Sequence, residues 1–208
     1  MNPLSEEVEI PQDLIEAGYQ NVFIHFKAAY PEIPSSVLEH FRKITVIENY
    51  LKNTVILDYG NVCRKCCFII KGYVISRLIY DGQEKAIWFV GDGEITMGVQ
   101  SYFEQIPSKE SLTTAEDTLC IVLYYDQYLE LVNDGPHFKI LVGQLFYKYL
   151  LQALDRIELL HADPETRYTY ILTHRSDIVT KTTVSDTATY LGIARETLSR
   201  LRSQLRKK

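Results

Sequence analysis

The chain has 208 residues, enough for one large or two small domains, and 46% of them are hydrophobic, so we do not expect disorder. Its formal net charge of −5 argues against a protein that coats nucleic acid non-specifically. The charge is uneven, because residues 195–208 carry six basic side chains and one acid, which leaves about −10 on the rest. A basic end on an acidic body is typical of a specific DNA-binding protein.

Other broad classes of protein are disfavoured by what the sequence lacks. Residues 1–10 are acidic and have no apolar segment of the kind that a signal peptide needs. No run approaches the roughly 18 apolar residues that span a bilayer. We therefore expect a cytoplasmic protein that does not contact the membrane. We also expect no enzyme, because the sequence has no phosphate loop and no convincing pairing of a nucleophile with a base.

The first half of the chain changes from helical to β-rich patterns. Residues 12–30 have an amphipathic helical pattern that stops at Pro31, and Ser35 or Ser36 is a suitable cap for a second short helix. From residue 44 to residue 128, short β-rich runs alternate with turn signals, and Asp81-Gly82-Gln83-Glu84 is a strong hairpin signal. Regular short strands of this kind predict a sandwich or a barrel.

The four cysteines invite more than one interpretation. Cys63, Cys66 and Cys67 lie within five residues, and together with Cys120 they could bind zinc or an iron–sulfur cluster. Cys67 also begins an apolar run, where a thiol behaves as a small buried hydrophobe. We expect no metal site, and the sequence leaves a redox role of the thiols open.

A long helical pattern follows Pro136 and continues to about His161. Apolar residues recur at spacings of three and four, at Phe138, Val142, Phe146, Tyr149, Ala153, Ile157 and Leu160. Further leucines widen the stripe, so one face can pack on the β-rich region while another packs on a second copy of the chain. A helix that is merely buried is the alternative.

Residues 183–202 are typical of two short helices joined by a tight turn. Thr183 can cap the first helix, with Asp186 as the acidic half of a capping box. Gly192 lies where the turn needs a positive φ, and Ala188 is small where the helices approach each other. Apolar residues that can hold the pair together are Leu191, Ile193, Leu198 and Leu201.

The second of these helices has one apolar and one polar face. Leu198, Leu201 and Leu205 fall on the apolar face. The polar face suits a major groove, where arginine can pair with guanine and glutamate can accept from cytosine. The predicted DNA contacts are Thr183, Arg195, Glu196, Ser199, Arg200, Arg202 and Ser203. An ordinary helical hairpin with a solvated basic face is the alternative.

This stretch, above all Arg195-Glu196-Thr197 followed by Arg200, resembles the helix-turn-helix of the catabolite activator protein and fumarate-nitrate regulator (Crp/Fnr) superfamily. In that superfamily an Arg-Glu pair and a later Arg read bases. The order of the turn signals upstream is similar to the superfamily's β-roll sensor domain.

The resemblance implies an α+β fold in three parts. A β-roll of the cyclic-nucleotide-binding, jelly-roll type with N-terminal helices would occupy residues 1–135. A dimerisation helix would occupy residues 136–161, and a helix-turn-helix DNA-binding domain residues 162–208. Because the given chain stops at Lys208, we expect this last domain to lack a full β-hairpin wing.

The effector site departs from the superfamily's pattern. Its cyclic-nucleotide binders use a Gly-Glu pair and then an arginine that grips the phosphate. Here no arginine occurs between Arg77 and Arg156, and Glu110 stands in or beside that arginine's place, where it would repel a phosphate. The candidate ligand contacts are Glu94, Ile95, Thr96, Met97, Lys109 and Ser111. We expect no cofactor and an effector other than a cyclic nucleotide.

The sequence thus predicts a dimeric, sequence-specific transcription regulator that binds a palindromic operator in double-stranded DNA, with RNA polymerase as a further candidate partner. The alternative is a sensor or partner protein that binds a cyclic nucleotide or another small ligand, and whose DNA binding is weak or lost.

Overall fold

A computed structural model describes residues 10–205, with the backbone alone at Leu205. Its strands form two antiparallel sheets that share one buried core. The first sheet has the order β1-β8-β3-β6 and the second β2-β7-β4-β5. The strands are β1 (Val46–Tyr50), β2 (Val55–Leu57), β3 (Lys65–Lys71), β4 (Val74–Tyr80), β5 (Gln83–Val90), β6 (Ile95–Thr96), β7 (Glu110–Thr114) and β8 (Thr118–Tyr124). The predicted α+β fold with a β-roll is confirmed.

The hairpin between β4 and β5 is tighter than its sequence indicated. Tyr80 pairs with Gln83, so only Asp81 and Gly82 form the turn, with φ of 52° and 70°. Positive φ at both central residues is the geometry that matches the twist of the flanking strands, and an Asp-Gly pair adopts it readily. The strand β5 therefore begins two residues earlier than the predicted Lys85.

Two N-terminal helices cover the first sheet: α1 (Gln12–Ala29), which ends before Pro31 as predicted, and α2 (Ser35–Ile44). The predicted serine cap is wrong, because Pro34 is the N-cap of α2 and Ser35 is already its first helical residue. Phe26, Phe41 and Phe68 meet edge to face where these helices contact β3. Their ring centroids are 5.1 Å apart for Phe26 and Phe41 and 5.2 Å apart for Phe41 and Phe68. Edge-to-face geometry is favourable because each ring presents its positive edge to a negative face.

The remaining helices are α3 (Val99–Glu104), α4 (Tyr125–Asn133), α5 (Pro136–His161), α6 (Pro164–His174), α7 (Ser176–Lys181), α8 (Val184–Tyr190) and α9 (Arg195–Leu205). The 26 residues of α5 extend it to about 39 Å. Asp163 caps α6 by accepting hydrogen bonds from the backbone amides of Glu165 and Thr166. We refer to α6–α9 as the C-terminal helical unit.

His40 connects α2 to α4, through Glu130 within that helix and through Asp134, the residue that follows it. Its ring nitrogens lie 2.8 Å from a Glu130 carboxylate oxygen and 2.9 Å from an Asp134 oxygen. These hydrogen bonds, that to Glu130 first, raise the pKa of His40 above its ordinary value of 6.5. The charged ring therefore stabilises the fold at pH values below 6.5, and this contribution is lost as pH rises through the higher pKa of the folded state.

We expect His40→Gln to reduce the free energy of unfolding at pH 6 by up to about 1 kcal/mol, and by less at pH 9. The small size follows because both carboxylates are more than half exposed. Urea unfolding at the two pH values measures it. His25→Gln is the control, since His25 has no carboxylate partner among residues 10–205. An equal loss at both pH values would contradict the assignment.

Candidate functional site

The helices α8 and α9 are held together by one buried contact surface. Ala188, Leu191 and Leu198 are almost fully buried where the helices meet. Gly192 adopts φ of 64° in the turn, and an added Cβ would lie 3.3 Å from an Arg167 nitrogen. That nitrogen donates to the Leu191 carbonyl over 2.8 Å, so glycine gives both the backbone conformation and the close approach.

The cap of α8 is formed as predicted, and the role of Asp186 differs. The Thr183 hydroxyl accepts from the Asp186 amide over 3.0 Å. The Asp186 carboxylate accepts from the Thr183 hydroxyl over 2.8 Å, instead of reaching back to the Thr183 amide as in a capping box. Thr187, a polar residue in a core position, is fully buried, with its hydroxyl bonded to Thr182 and to the Thr183 carbonyl.

The exposed face of α9 contains most of the predicted DNA contacts. Arg195, Glu196, Ser199, Arg200 and Ser203 are exposed on successive turns. Thr183 is also exposed, at the start of α8, and its hydroxyl already serves the cap. The arrangement gives two arginines, one carboxylate and two hydroxyls on one helical surface.

Arg202 does not share that exposed surface. It lies four residues after Leu198, and therefore beside the buried edge of α9. Its Nε and Nη2 are buried without a hydrogen-bond partner among residues 10–205. The sequence prediction placed Arg202 with the exposed arginines, and the structure corrects that placement. The basic residues Arg206, Lys207 and Lys208 lie outside the described residues.

The helix α8 is attached to the edge of the second sheet. Arg77 on β4 donates through Nε to an Asp186 oxygen over 2.9 Å, and the two side chains are 18% and 11% exposed. The Ala86 amide of edge strand β5 donates to the Thr189 hydroxyl over 3.1 Å. A free edge amide and a nearly buried charge both need partners, and α8 supplies one for each.

The helix α7 and its flanks make further contacts with the β-roll. The Tyr73 hydroxyl donates to Asp177 over 2.7 Å, and Lys181 lies 2.7 Å from Glu116. Phe89 packs against Tyr190 with ring centroids 4.8 Å apart. The C-terminal helical unit therefore shares a hydrophobic cluster with the outer face of the second sheet. The apolar run Ala-Ile-Trp-Phe-Val in β5 is the sequence signal for this contact, because a continuous apolar run indicates a strand that is buried on both faces.

An apolar cavity of about 300 Å³ lies between the β-roll, α3 and α5. Its wall is rich in aromatic rings, among them Trp88, Tyr102, Phe103, Tyr128 and Phe146. Ser76, Thr96 and Glu110 also line it, and among residues 10–205 no lysine, arginine or histidine belongs to the wall. The volume lies at the lower end of the range for ligand pockets.

The structure brings three of the six candidate ligand residues to this cavity. Ile95, Thr96 and Met97 form part of its wall. Three others lie elsewhere: Glu94 accepts from the Gly91 amide over 2.8 Å, Lys109 is exposed, and Ser111 is buried outside the wall. Glu94, Lys109 and Ser111 therefore do not line the cavity, because strand alternation turns Lys109 and Ser111 away from the side that Glu110 faces.

Glu110 is a candidate ligand contact that the sequence did not predict. It lines the cavity, and one of its carboxylate oxygens accepts from the Ser76 hydroxyl over 2.9 Å. Burial raises the pKa of this carboxyl, and the Ser76 hydrogen bond offsets the rise in part. The one signal in the sequence was the position of Glu110, in or beside the place of the superfamily's phosphate-binding arginine.

The cysteines are buried thiols that form no disulfide. Burial raises the pKa of Cys63 and Cys66, and the neighbouring Cys120 thiol together with burial raises that of Cys67. A raised pKa keeps a thiol protonated and less reactive. Within residues 10–205, no group of three or more His, Cys, Asp or Glu side chains is arranged to hold a metal ion.

One segment touches both the cavity and the C-terminal helical unit. The Ile95 amide, at the cavity wall, donates to the Tyr149 hydroxyl of α5 over 3.0 Å. The preceding Glu94 lies 3.7 Å from an Arg175 nitrogen, and Arg175 also pairs with Asp177 at 3.0 Å. Residues 94–97 thus connect the cavity wall to α5 on one side and to α7 on the other.

Comparison with known proteins supports this architecture. Residues 47–134 match the family model described as "Cyclic nucleotide-binding domain". No curated protein sequence matches the chain. In the part of the chain that the structure describes, no helix is both long and apolar enough to span a membrane.

Several solved structures are similar over most of the chain. The catabolite activator protein of Thermus thermophilus is 20% identical with a TM-score of 0.53, and the match covers 86% of each chain. The c-di-GMP responsive global regulator CLP of Xanthomonas campestris is 19% identical with a TM-score of 0.66, over 84% of this chain and 92% of that one. FixK2 of Bradyrhizobium japonicum is 20% identical with a TM-score of 0.64, over 79% and 85%. At these identities the likeness is one of fold, and it agrees with the fold that the resemblance implied.

The ion pair between Arg77 and Asp186 provides a test of the attachment of α8. We expect Asp186→Ala to reduce the free energy of unfolding by about 3 kcal/mol, because it leaves a nearly buried guanidinium unpaired. Arg77→Met combined with Asp186→Ala should cost less than the sum of the single changes. Chemical unfolding of the four proteins measures this coupling.

The pair of Arg42 with Glu16 is a matched control. Those side chains are 38% and 44% exposed, so we expect their coupling energy to stay below about 1 kcal/mol. Equal coupling for the two pairs would show that the contact of α8 with β4 does not depend on its buried charges.

Proposed function

We propose that this chain, which has the fold of the Crp/Fnr superfamily, is a dimeric, sequence-specific DNA-binding transcription regulator controlled by an effector other than a cyclic nucleotide. The observation that carries the proposal is the exposed polar face of α9, presented by a helix pair whose opposite side is buried. In this proposal the protein is cytoplasmic and carries out no catalysis. Its operator is a palindromic duplex, with RNA polymerase as a further partner.

The chemistry of α9 suits the reading of bases in a major groove. An arginine can donate both arms of its guanidinium to the O6 and N7 atoms of guanine, and a glutamate can accept from the amino group of cytosine. Arg195 and Glu196 begin the helix, and Ser199 and Arg200 lie one turn later on the same exposed surface. Residues at the N-terminal end of a recognition helix are those that usually reach base edges.

The proposed dimer uses the exposed apolar stripe of α5. Tyr147, Leu150, Leu154 and Ile157 are each at least 51% exposed, although leucine, isoleucine and tyrosine seldom expose so much surface in one continuous row. Residues at these spacings lie on one side of a helix, as the packing of two helices along their length requires. Two copies would carry two α9 helices, and these can occupy two half-sites separated by about one turn of DNA.

The proposed effector is not a cyclic nucleotide because the cavity lacks a partner for a phosphate. Among the described residues that line the cavity, Glu110 is the one with a charged side chain, and that charge is negative. A buried phosphate next to a carboxylate, with no arginine or lysine in the wall, would leave two negative charges unpaired in a low dielectric. The aromatic wall favours a molecule with an apolar body instead.

Selection of bound duplexes from a random pool tests the reading of DNA. We expect a palindromic site, and we expect Arg195→Ala and Arg200→Ala each to reduce discrimination at one position of every half-site by about 1–3 kcal/mol. Arg64→Ala, which removes an exposed arginine from the β-roll, is the matched control and should leave the site unchanged.

Unchanged selectivity in both α9 variants would refute the assignment of these two arginines to base reading. If the parent protein binds no duplex even at low salt, where phosphate contacts are strongest, the DNA-binding function fails. That result would favour the alternative of a ligand sensor or partner protein with weak or lost DNA binding.

The dimer is tested by placing charge in the apolar stripe. We expect Leu150→Glu with Leu154→Glu to convert a dimer into a monomer in sedimentation analysis, because both exposed side chains would face a partner. Affinity for a full palindrome should fall to that for a half-site. Lys148→Glu, an exposed change on α5 outside the stripe, is the control. A parent protein that sediments as a monomer at micromolar concentration would contradict the dimer.

A further inference from the structure

One hydrogen-bonded pair of polar side chains, which includes a carboxyl group, lies in the largely aromatic and aliphatic wall of the cavity. Ser76 lies on β4 and Glu110 on the neighbouring β7, and both side chains face the cavity. The Ser76 hydroxyl donates to one carboxylate oxygen of Glu110 over 2.9 Å. The second oxygen has no hydrogen-bond partner among residues 10–205. A carboxyl group with spare accepting capacity is therefore available to a molecule in the cavity.

Within residues 10–205, no cationic side chain forms an ion pair with this carboxyl group. The nearest basic residues in the sequence face elsewhere, since Lys109 is exposed and Arg77 points to the opposite side of β4, where it pairs with Asp186. In the part of the chain that the structure describes, Glu110 forms no ion pair. Burial of an uncompensated carboxyl group opposes folding, and groups of this kind concentrate at sites where a ligand binds.

The rest of the wall suits the body of an organic cation. Aromatic rings attract positive charge to their faces, and their large apolar surface can pack against the body of an organic molecule. Trp88, Tyr128 and Phe146 supply such rings around the cavity. A negatively charged ligand would meet Glu110 with like charge, whereas a purely apolar ligand would leave its free oxygen without a partner.

We propose that the cavity binds a small organic amine with an aromatic or aliphatic body, its ammonium group donating to Glu110 and its body packed against the aromatic wall. The inference rests on the proposed role of the cavity as the effector site, and it names the chemical class of that effector. The volume of about 300 Å³ favours a single ring with a short side chain over a nucleotide.

Four probes of related shape test the charge preference on the full-length protein without DNA. They are 2-phenylethylamine, 2-phenylethanol, 3-phenylpropionate and cyclic AMP. Trp88 is the one tryptophan of the chain and lines the cavity, so its fluorescence reports occupancy directly, with thermal stabilisation as a second measure. We expect the amine to bind roughly tenfold or more tightly than the alcohol, and no saturable binding of the two anions.

Variants then assign the preference to Glu110. We expect Glu110→Gln to remove the preference for amine over alcohol, while raising the melting temperature of the ligand-free protein because a neutral amide replaces a desolvated carboxyl. That rise also shows that the variant is folded. Glu104→Gln makes the same change at an exposed position of α3 and should alter neither quantity.

The inference is overturned if the carboxylate probe binds as tightly as the amine, if no probe binds, or if Glu110→Gln keeps the amine preference. Its failure is separable from that of the proposed regulator, because these titrations contain no DNA. A protein that selects a palindrome and ignores amines would retain the proposed DNA function. If the protein binds amines and no duplex, the assignment of the cavity stands and the proposed DNA-binding function is refuted.

Discussion

The attachment of α8 to the edge of the β-roll is the contact on which the rest of the arrangement depends. It joins Asp186 to Arg77 and the Thr189 hydroxyl to the amide of Ala86. A nearly buried ion pair is stable only when both partners are present and well oriented, so it allows α8 one position on the sheet. Since Ala188 and Leu198 fix α9 to α8, the same contact decides that the polar face of α9 points to solvent.

The strand β4 links this attachment to the cavity. Ser76 and Arg77 are neighbours, and successive side chains of a strand point to opposite faces. Ser76 therefore meets Glu110 inside the cavity, while Arg77 meets Asp186 in the C-terminal helical unit. The pairing of β4 with β5 is irregular between these two residues, which marks a β-bulge at this point of the ladder. Two adjacent residues, Ser76 and Arg77, thus make the polar contacts of the cavity and of the attachment of α8.

Residues 94–97 form a second connection between the same two regions. The hydrogen bond from Ile95 to Tyr149 ties the cavity wall to α5, and the ion pair of Glu94 with Arg175 ties it to the junction of α6 and α7. The sequence predicted Glu94 as a ligand contact, because the cyclic-nucleotide binders of the Crp/Fnr superfamily use a Gly-Glu pair in their ligand site. In this chain its carboxylate instead faces an arginine of the C-terminal helical unit, while the cavity's carboxyl comes from β7.

The sequence by itself determined the features that depend on residues a few positions apart. Thr183 caps α8 through an amide three residues away, Asp81 and Gly82 close a two-residue turn, and Asp163 caps α6, because propensity and local hydrogen bonding decide such structures. The exposed face of α9 followed from the periodicity of apolar residues, whereas the fold class was what the resemblance of residues 183–202 and of the upstream turn signals implied.

Only the tertiary structure decided the contacts between residues far apart in the chain. Asp186 reads locally as half of a capping box, yet its carboxylate pairs with Arg77, 109 residues away. Arg202 reads as one of the exposed basic residues, yet its guanidinium is partly buried beside Leu198. Glu110 reads as an obstacle to a phosphate, yet it is the one carboxylate of an aromatic cavity. The physical reason is common to the three: a charged side chain takes its partner and its pKa from whatever packing brings near it, and the periodicity of a single segment does not specify that neighbour.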